Sequence, residues 1–174
     1  MFPVQFLPTT FTINKEFQIS LCKLIAHNLY VNTWIFKIDD EFNGRGHASL
    51  NVESIKTVVE LRKRKFEITD SVIENKLVEV IAKLLPKKVK LSMPSLYKSW
   101  DEYIEAFCHV GGVIEAAPSC SPKQVVSPSV SFFVSPDGEI DLIGSFDRFS
   151  AKEFINAGCF FPQTSLPNIN LMTL

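Results

Sequence analysis

From Trp34 to Asp39 the side chains alternate so that Trp34, Phe36 and Ile38 fall on one face of a strand and Ile35, Lys37 and Asp39 on the other. Lys37 therefore points away from the aromatic face. The run continues into Asn43-Gly44-Arg45-Gly46, where glycines let the backbone turn through positive φ and Asn43 tolerates left-handed geometry. Ala48 to Asn51 then reads as the return strand of a hairpin. A Gly-x-Gly after a strand has two readings. It is either a plain hairpin turn or a turn whose N–H groups cradle phosphate oxygens while a lysine supplies charge.

Elsewhere the dominant period is helical. Residues 1 to 13, with Pro3 and Pro8, read as an extended lead-in, and Asn14 is placed to cap a helix to about Leu29. Phe17, Leu21, Leu24, Ile25 and Leu29 form its apolar stripe, with His27 at its surface or boundary. From Glu53 to Lys65, Ile55, Val58, Val59 and Leu61 give way to Arg62-Lys63-Arg64-Lys65. Ser71 and Glu74 have capping-box spacing, and the stripe Val72, Ile73, Leu77, Val80, Ile81 and Leu84 predicts a helix that Pro86 stops. Lys87 to Leu91 read as a short edge strand.

Ser99 and Glu102 repeat the capping-box spacing and open a helix whose Trp100, Tyr103, Ile104 and Phe107 face inward. Gly111-Gly112 ends it, and Val113 to Ala116 make a short strand. The Pro/Ser-rich stretch 118–128 reads as a loop and hinge. Ser129 to Ser135, the turn Pro136-Asp137-Gly138 and Glu139 to Ser145 predict a β-hairpin, after which Ser150 and Glu153 are spaced to cap a last short helix. The mixture predicts an α+β fold, with residues 14–117 as one subdomain and 129–174 as the hairpin and tail of a second.

Composition narrows the chemistry. With 46% hydrophobic residues in 174 the chain can bury a core, and 18 basic against 19 acidic side chains leave a formal charge of −1. That balance gives no global attraction to nucleic acid or an anionic membrane, so any phosphate site must be local. The run Arg62 to Lys65 has a nucleic-acid reading, set against that of a solvated helix end that suits the helix dipole. Cys22, Cys108, Cys120 and Cys159 have no zinc spacing with His27, His47 or His109, and reduced thiols in the cytoplasm are the expectation. The N-terminus has no signal-peptide pattern, and no stretch reaches ~18 uninterrupted apolar residues.

Four blocks carry a resemblance: "WIFKIDDEFNGRGHASLN" (34–51), "GGVIEA" (111–116), "FFVSPDGEIDLIGSFDR" (132–148) and "FINAGCFFPQTSLP" (154–167). In this order they resemble the ATP-grasp-like region of the IQ-motif-containing protein H family and, more distantly, bacterial ATP-grasp amide ligases of the peptide-ligase type. The resemblance implies a lid-like subdomain with the start of an adjoining antiparallel sheet, an incomplete ATP-grasp fold. It implies ATP as ligand, with Lys37 on phosphate, the loop Asn43, Gly44, Arg45 and Gly46 over the triphosphate, and Glu115 with the backbone of Ile114 and Ala116 at adenine and ribose.

Asp147 matches an acidic position facing the cleft, a candidate for Mg²⁺. Plainer readings stand beside these: Glu115 as a strand carboxylate paired with a lysine, and Asp147 as a turn or cap residue. Asn43 stands where relatives often carry another glycine, and His47 where they carry Thr or Ser. The chain ends before the region where such ligases place most metal ligands, which implies binding without turnover. The likeness also implies protein partners in a larger, ciliary or sperm-associated assembly.

Overall fold

The computed structural model describes residues 4–7, 15–63, 71–119, 125–152 and 154–167. It divides into two units, Met1–Ser119 and Cys120–Leu174.

In the first unit the chain order is β1 (Val4–Leu7), α1 (Lys15–His27), β2 (Thr33–Ile38), β3 (His47–Asn51), α2 (Lys56–Lys63), α3 (Ser71–Lys88), β4 (Val89–Leu91), α4 (Trp100–Val110) and β5 (Gly112–Ala116). The strands form one antiparallel sheet in the order β1-β5-β2-β3-β4. Register explains where the core lies. Phe36 sits opposite Ala48 on one side and Ile114 on the other, and Trp34 opposite Leu50 and Ala116, so the central strands present one continuous apolar face. Onto it pack Phe17, Leu21 and Ile25 of α1, Leu77, Ile81 and Leu85 of α3, and Trp100, Tyr103 and Phe107 of α4, all buried. Aromatic rings knit the centre: Phe36 meets Trp100 edge-on at 5.6 Å and Phe107 at 6.4 Å between centroids.

Ends of the elements follow local chemistry. The Ser99 hydroxyl accepts from the Glu102 N–H at 3.2 Å, and the Glu102 carboxylate accepts from the Lys98 N–H at 2.8 Å, so the capping signal is used with its return bond one residue earlier than in the standard box. Gly111, at φ 98°, ends α4 in a conformation that suits glycine. Pro86 does not stop α3, which runs on to Lys88. Proline removes one N–H bond, and the complete burial of Leu85 beside it holds the final turn to the core. The caps expected at Asn14 and at the Ser71 and Glu74 side chains lie outside the described residues.

The second unit is a three-stranded antiparallel sheet, β6 (Ser127–Val134), β7 (Ile140–Lys152) and β8 (Ile155–Phe160), in that order. The hairpin is present, but β6 already begins at Ser127, inside the expected loop. Its tip pairs Phe132 with Leu142 and Val134 with Ile140, four apolar side chains on one face and each more than half exposed. The helix expected at Ser150 is not formed. There β7 continues to Lys152 and returns as β8, with Phe149 stacked on Phe160 at 4.7 Å. Gly158, opposite Phe149, leaves the room its ring occupies, so cross-strand aromatic packing overrides a local cap signal.

Gly112 shows how tightly the sheet and α4 are joined. A Cβ there would overlap both the Lys37 carbonyl oxygen and the Phe107 ring. Gly112→Ala is expected to destabilise the protein by about 1–3 kcal/mol, as overpacking does, in denaturant unfolding followed by tryptophan fluorescence.

Candidate functional site

Lys37 lies near the end of β2 and Glu115 near the end of β5, and the antiparallel register sets Ile35 opposite Glu115 and Lys37 opposite Val113. Residues two apart on a strand share a face, so Lys37, Ile35 and Glu115 stand together on the side away from the aromatic core. The Lys37 ammonium and a Glu115 carboxylate oxygen form an ion pair, with the two side chains 37% and 29% exposed. Ile35 is buried on that same face, opposite the buried Ser49 of β3.

The glycine loop begins at the Lys37 end of β2, and Glu115, opposite Ile35, lies further from it. The Asp39 N–H donates to the Gly111 carbonyl at 3.2 Å and the Ile38 N–H to the Gly46 carbonyl at 3.1 Å, which ties the loop to the α4–β5 junction. Asn43 at φ 59° and Gly44 at φ 80° take the left-handed conformations expected of them. Gly46 does not have positive φ. It is glycine for space, because a Cβ would run into the stem of Glu41.

Beneath the loop, the buried Tyr103 hydroxyl donates to the Gly46 carbonyl at 2.9 Å. Burial first, then the neighbouring Tyr97, push the Tyr103 phenol well above its ordinary pKa, so it remains a donor. Tyr97 packs edge-on against Tyr103 at 5.2 Å and donates from its hydroxyl to Glu41 Oε1 at 3.4 Å. Glu41 Oε2 lies 3.7 Å from Arg45 Nε. Arg45 is thus engaged by Glu41. Two loop N–H groups are also spent inside the turn, those of Arg45 on the Phe42 carbonyl and of Glu41 on that of Ile38.

At the proposed adenine edge, the Ala117 N–H donates to the Thr33 carbonyl of β2, so the alternation turns the backbone groups of Ile114 and Ala116 toward the β1 side. Ile114 is paired there with Gln5, which corrects the expectation that its backbone groups are on offer. Ala116 lies one residue beyond the Val4–Glu115 pair.

Residues 2–174 match the family model described as IQCH-like, ATP-grasp. The chain is also 31% identical over 168 residues to IQ motif-containing protein H of Danio rerio, covering 90% of this chain. The chain belongs to the IQCH-like ATP-grasp family. It spans 15% of the length of that relative, and no solved structure matches it.

In this family member Asp147 lies in the other unit, on β7, and its carboxylate binds the 164–165 segment. Oδ2 accepts from the N–H groups of Thr164 and Ser165 at 2.8 and 2.9 Å, and Oδ1 from the Ser165 hydroxyl. The hydrogen bond from the Ser165 side chain, followed by that from the Thr164 backbone, lowers the Asp147 pKa. This is a capping carboxylate. Among the described residues no three His, Cys, Asp or Glu side chains group to hold a metal.

Arg62 is likewise committed within the fold. Its guanidinium donates to the carbonyls of Leu29 and Val31 and to Asn32 Oδ1, binding α2 to the α1–β2 turn. Sequence reasoning missed Glu41 and Tyr97 as parts of the loop's support. Tyr97 is 56 residues from Glu41 along the chain, and no local spacing signals such a contact.

Because the folded pKa of Asp147 is depressed, its hydrogen bonds stabilise the 164–165 segment above the unfolded carboxyl value. That contribution is lost as pH falls through the lower, folded value. Amide exchange at Thr164 and Ser165 is expected to accelerate, relative to the β7 ladder, as acid is added below about pH 3.8. Asp147→Asn is expected to abolish that pH dependence.

Proposed function

We propose that this chain carries a nucleotide-binding module of the ATP-grasp type, with ATP as ligand, that binds without turning it over. The observation that carries the reading is the part-exposed Lys37–Glu115 pair on the outer sheet face, with Lys37 one residue before the end of β2 from which the glycine loop departs, in a member of an ATP-grasp family. The ammonium is a mobile phosphate donor, the carboxylate can accept from ribose hydroxyls, and Ala116 supplies backbone groups at the edge. These contacts are made equally in ground and transition states, so they give affinity and no rate. The carboxylates that chemistry would need are engaged elsewhere, Glu115 by Lys37 and Asp147 by Thr164 and Ser165.

A second reading draws on the apolar tip of the β6–β7 hairpin. Exposed Phe132, Val134, Ile140 and Leu142 on one face favour a structural or regulatory module that joins other proteins, for which a ciliary or sperm-associated assembly is the setting suggested by resemblance. Among the described residues no helix is long and apolar enough to cross a membrane.

Calorimetry with ATP tests the first reading. Lys37→Ala is expected to weaken binding by about 1.5–3 kcal/mol, since it removes a charged contact and leaves Glu115 facing the phosphates. Equal affinity would remove Lys37 from the site. Magnesium-dependent phosphate release by the wild type, absent in Lys37→Ala, would overturn the claim of no turnover. For RNA, filter binding is expected to show only weak association without a steep salt slope, because Arg62 is committed to backbone carbonyls. Tight, salt-sensitive binding lost in Lys63→Ala would contradict this.

A further inference from the structure

The nucleotide reading treats Arg45 as a phosphate contact, yet its guanidinium is engaged by Glu41, and three features build that engagement into the fold. The Glu41 stem fills the space that a Cβ on Gly46 would need, so its carboxylate is held beside the loop. The Tyr97 hydroxyl fixes one carboxylate oxygen at 3.4 Å, leaving the other toward Arg45 at 3.7 Å. Tyr97 is in turn set by its edge-on contact with Tyr103, which holds the Gly46 carbonyl from below. The Glu41 side chain is only 22% exposed, while that of Arg45 is 56% exposed and open to an incoming anion.

We infer that Glu41 is a latch on the glycine loop: it neutralises Arg45 in the free protein, and a polyphosphate must take the guanidinium from it to be bound. The inference rests on the nucleotide reading, and it adds a residue that tunes affinity without touching ligand. The exchange is feasible because the pair is partly exposed and therefore weak, whereas a triphosphate offers several charged oxygens, pairs of which match the guanidinium fork. On the outer face of the sheet Lys37 is paired in the same manner with Glu115, a separate ion pair. The acid run Asp39-Asp40-Glu41 before the loop adds negative charge, which sharpens selection for a ligand able to compete.

The test is calorimetric titration of the full chain with inorganic tripolyphosphate and with ATP at low salt. Wild type, Glu41→Gln, Arg45→Ala, the Glu41→Gln/Arg45→Ala double variant and Lys37→Ala are compared. Glutamine keeps the stem against Gly46 and an acceptor for Tyr97, so only the charge changes. Glu41→Gln is expected to bind both anions about two- to fivefold more tightly, the range a part-exposed ion pair commands. The gain is expected to vanish in the double variant. Unchanged or weaker binding by Glu41→Gln, while Lys37→Ala still loses affinity, would overturn the latch and leave the nucleotide reading standing. A gain that survives removal of Arg45 would also overturn it, as the effect would then be general charge. Binding of neither anion by any variant would overturn the nucleotide reading and the latch together.

Discussion

The pairing of β2 with β5 is the constraint on which the site depends. With Ile35 opposite Glu115 and Phe36 opposite Ile114, every aromatic residue of β2 enters the core and every charged one leaves it. A slip of one residue would drive Glu115 toward Phe36 and Trp100, where an uncompensated carboxylate costs several kcal/mol. The same register brings Glu115 within reach of Lys37 on the outer face. Core packing and site geometry therefore have a single cause. Gly112 secures it, since only a residue without a Cβ lets β5 enter the sheet so close to the Lys37 carbonyl and the Phe107 ring.

The glycine loop belongs as much to the core as to the surface. Tyr103 is a core residue of α4 by packing, with its ring against Trp100 and Phe107, yet its hydroxyl reaches the Gly46 carbonyl. Helix and loop are joined through one buried hydrogen bond, and Tyr97 extends the support to Glu41. A loop held this way has its shape set by the core beneath it. The Lys37–Glu115 and Arg45–Glu41 pairs are part-exposed, so each is individually weak.

The second unit follows a different logic. Its sheet has three strands, with Asp147 fastening the 164–165 segment to β7 and an apolar hairpin tip exposed to solvent. An apolar cluster of that kind gains free energy when covered, which is the physical basis for the interaction reading. Asp147 orders the 164–165 segment locally.

Periodicity along the chain was enough to place α1, β2, β3, α4 and β5, because each element has a face whose apolar side chains recur at the period of its own backbone. The alternation from Trp34 to Ile38 set Lys37 on the outer face, and the left-handed positions at Asn43 and Gly44 followed from residue type alone. Other decisions belonged to partners distant in sequence. The burial of Leu85 kept α3 helical through Pro86, and Phe149 stacking on Phe160 made a strand where Ser150 suggested a cap. That Glu115 pairs with Lys37 was a choice that spacing left open and register resolved. That Gly46 is needed for space, that Arg45 is engaged by Glu41 and that Asp147 caps the 164–165 segment were settled by tertiary contacts, because side chains far apart in the chain carry no shared period to announce that they meet.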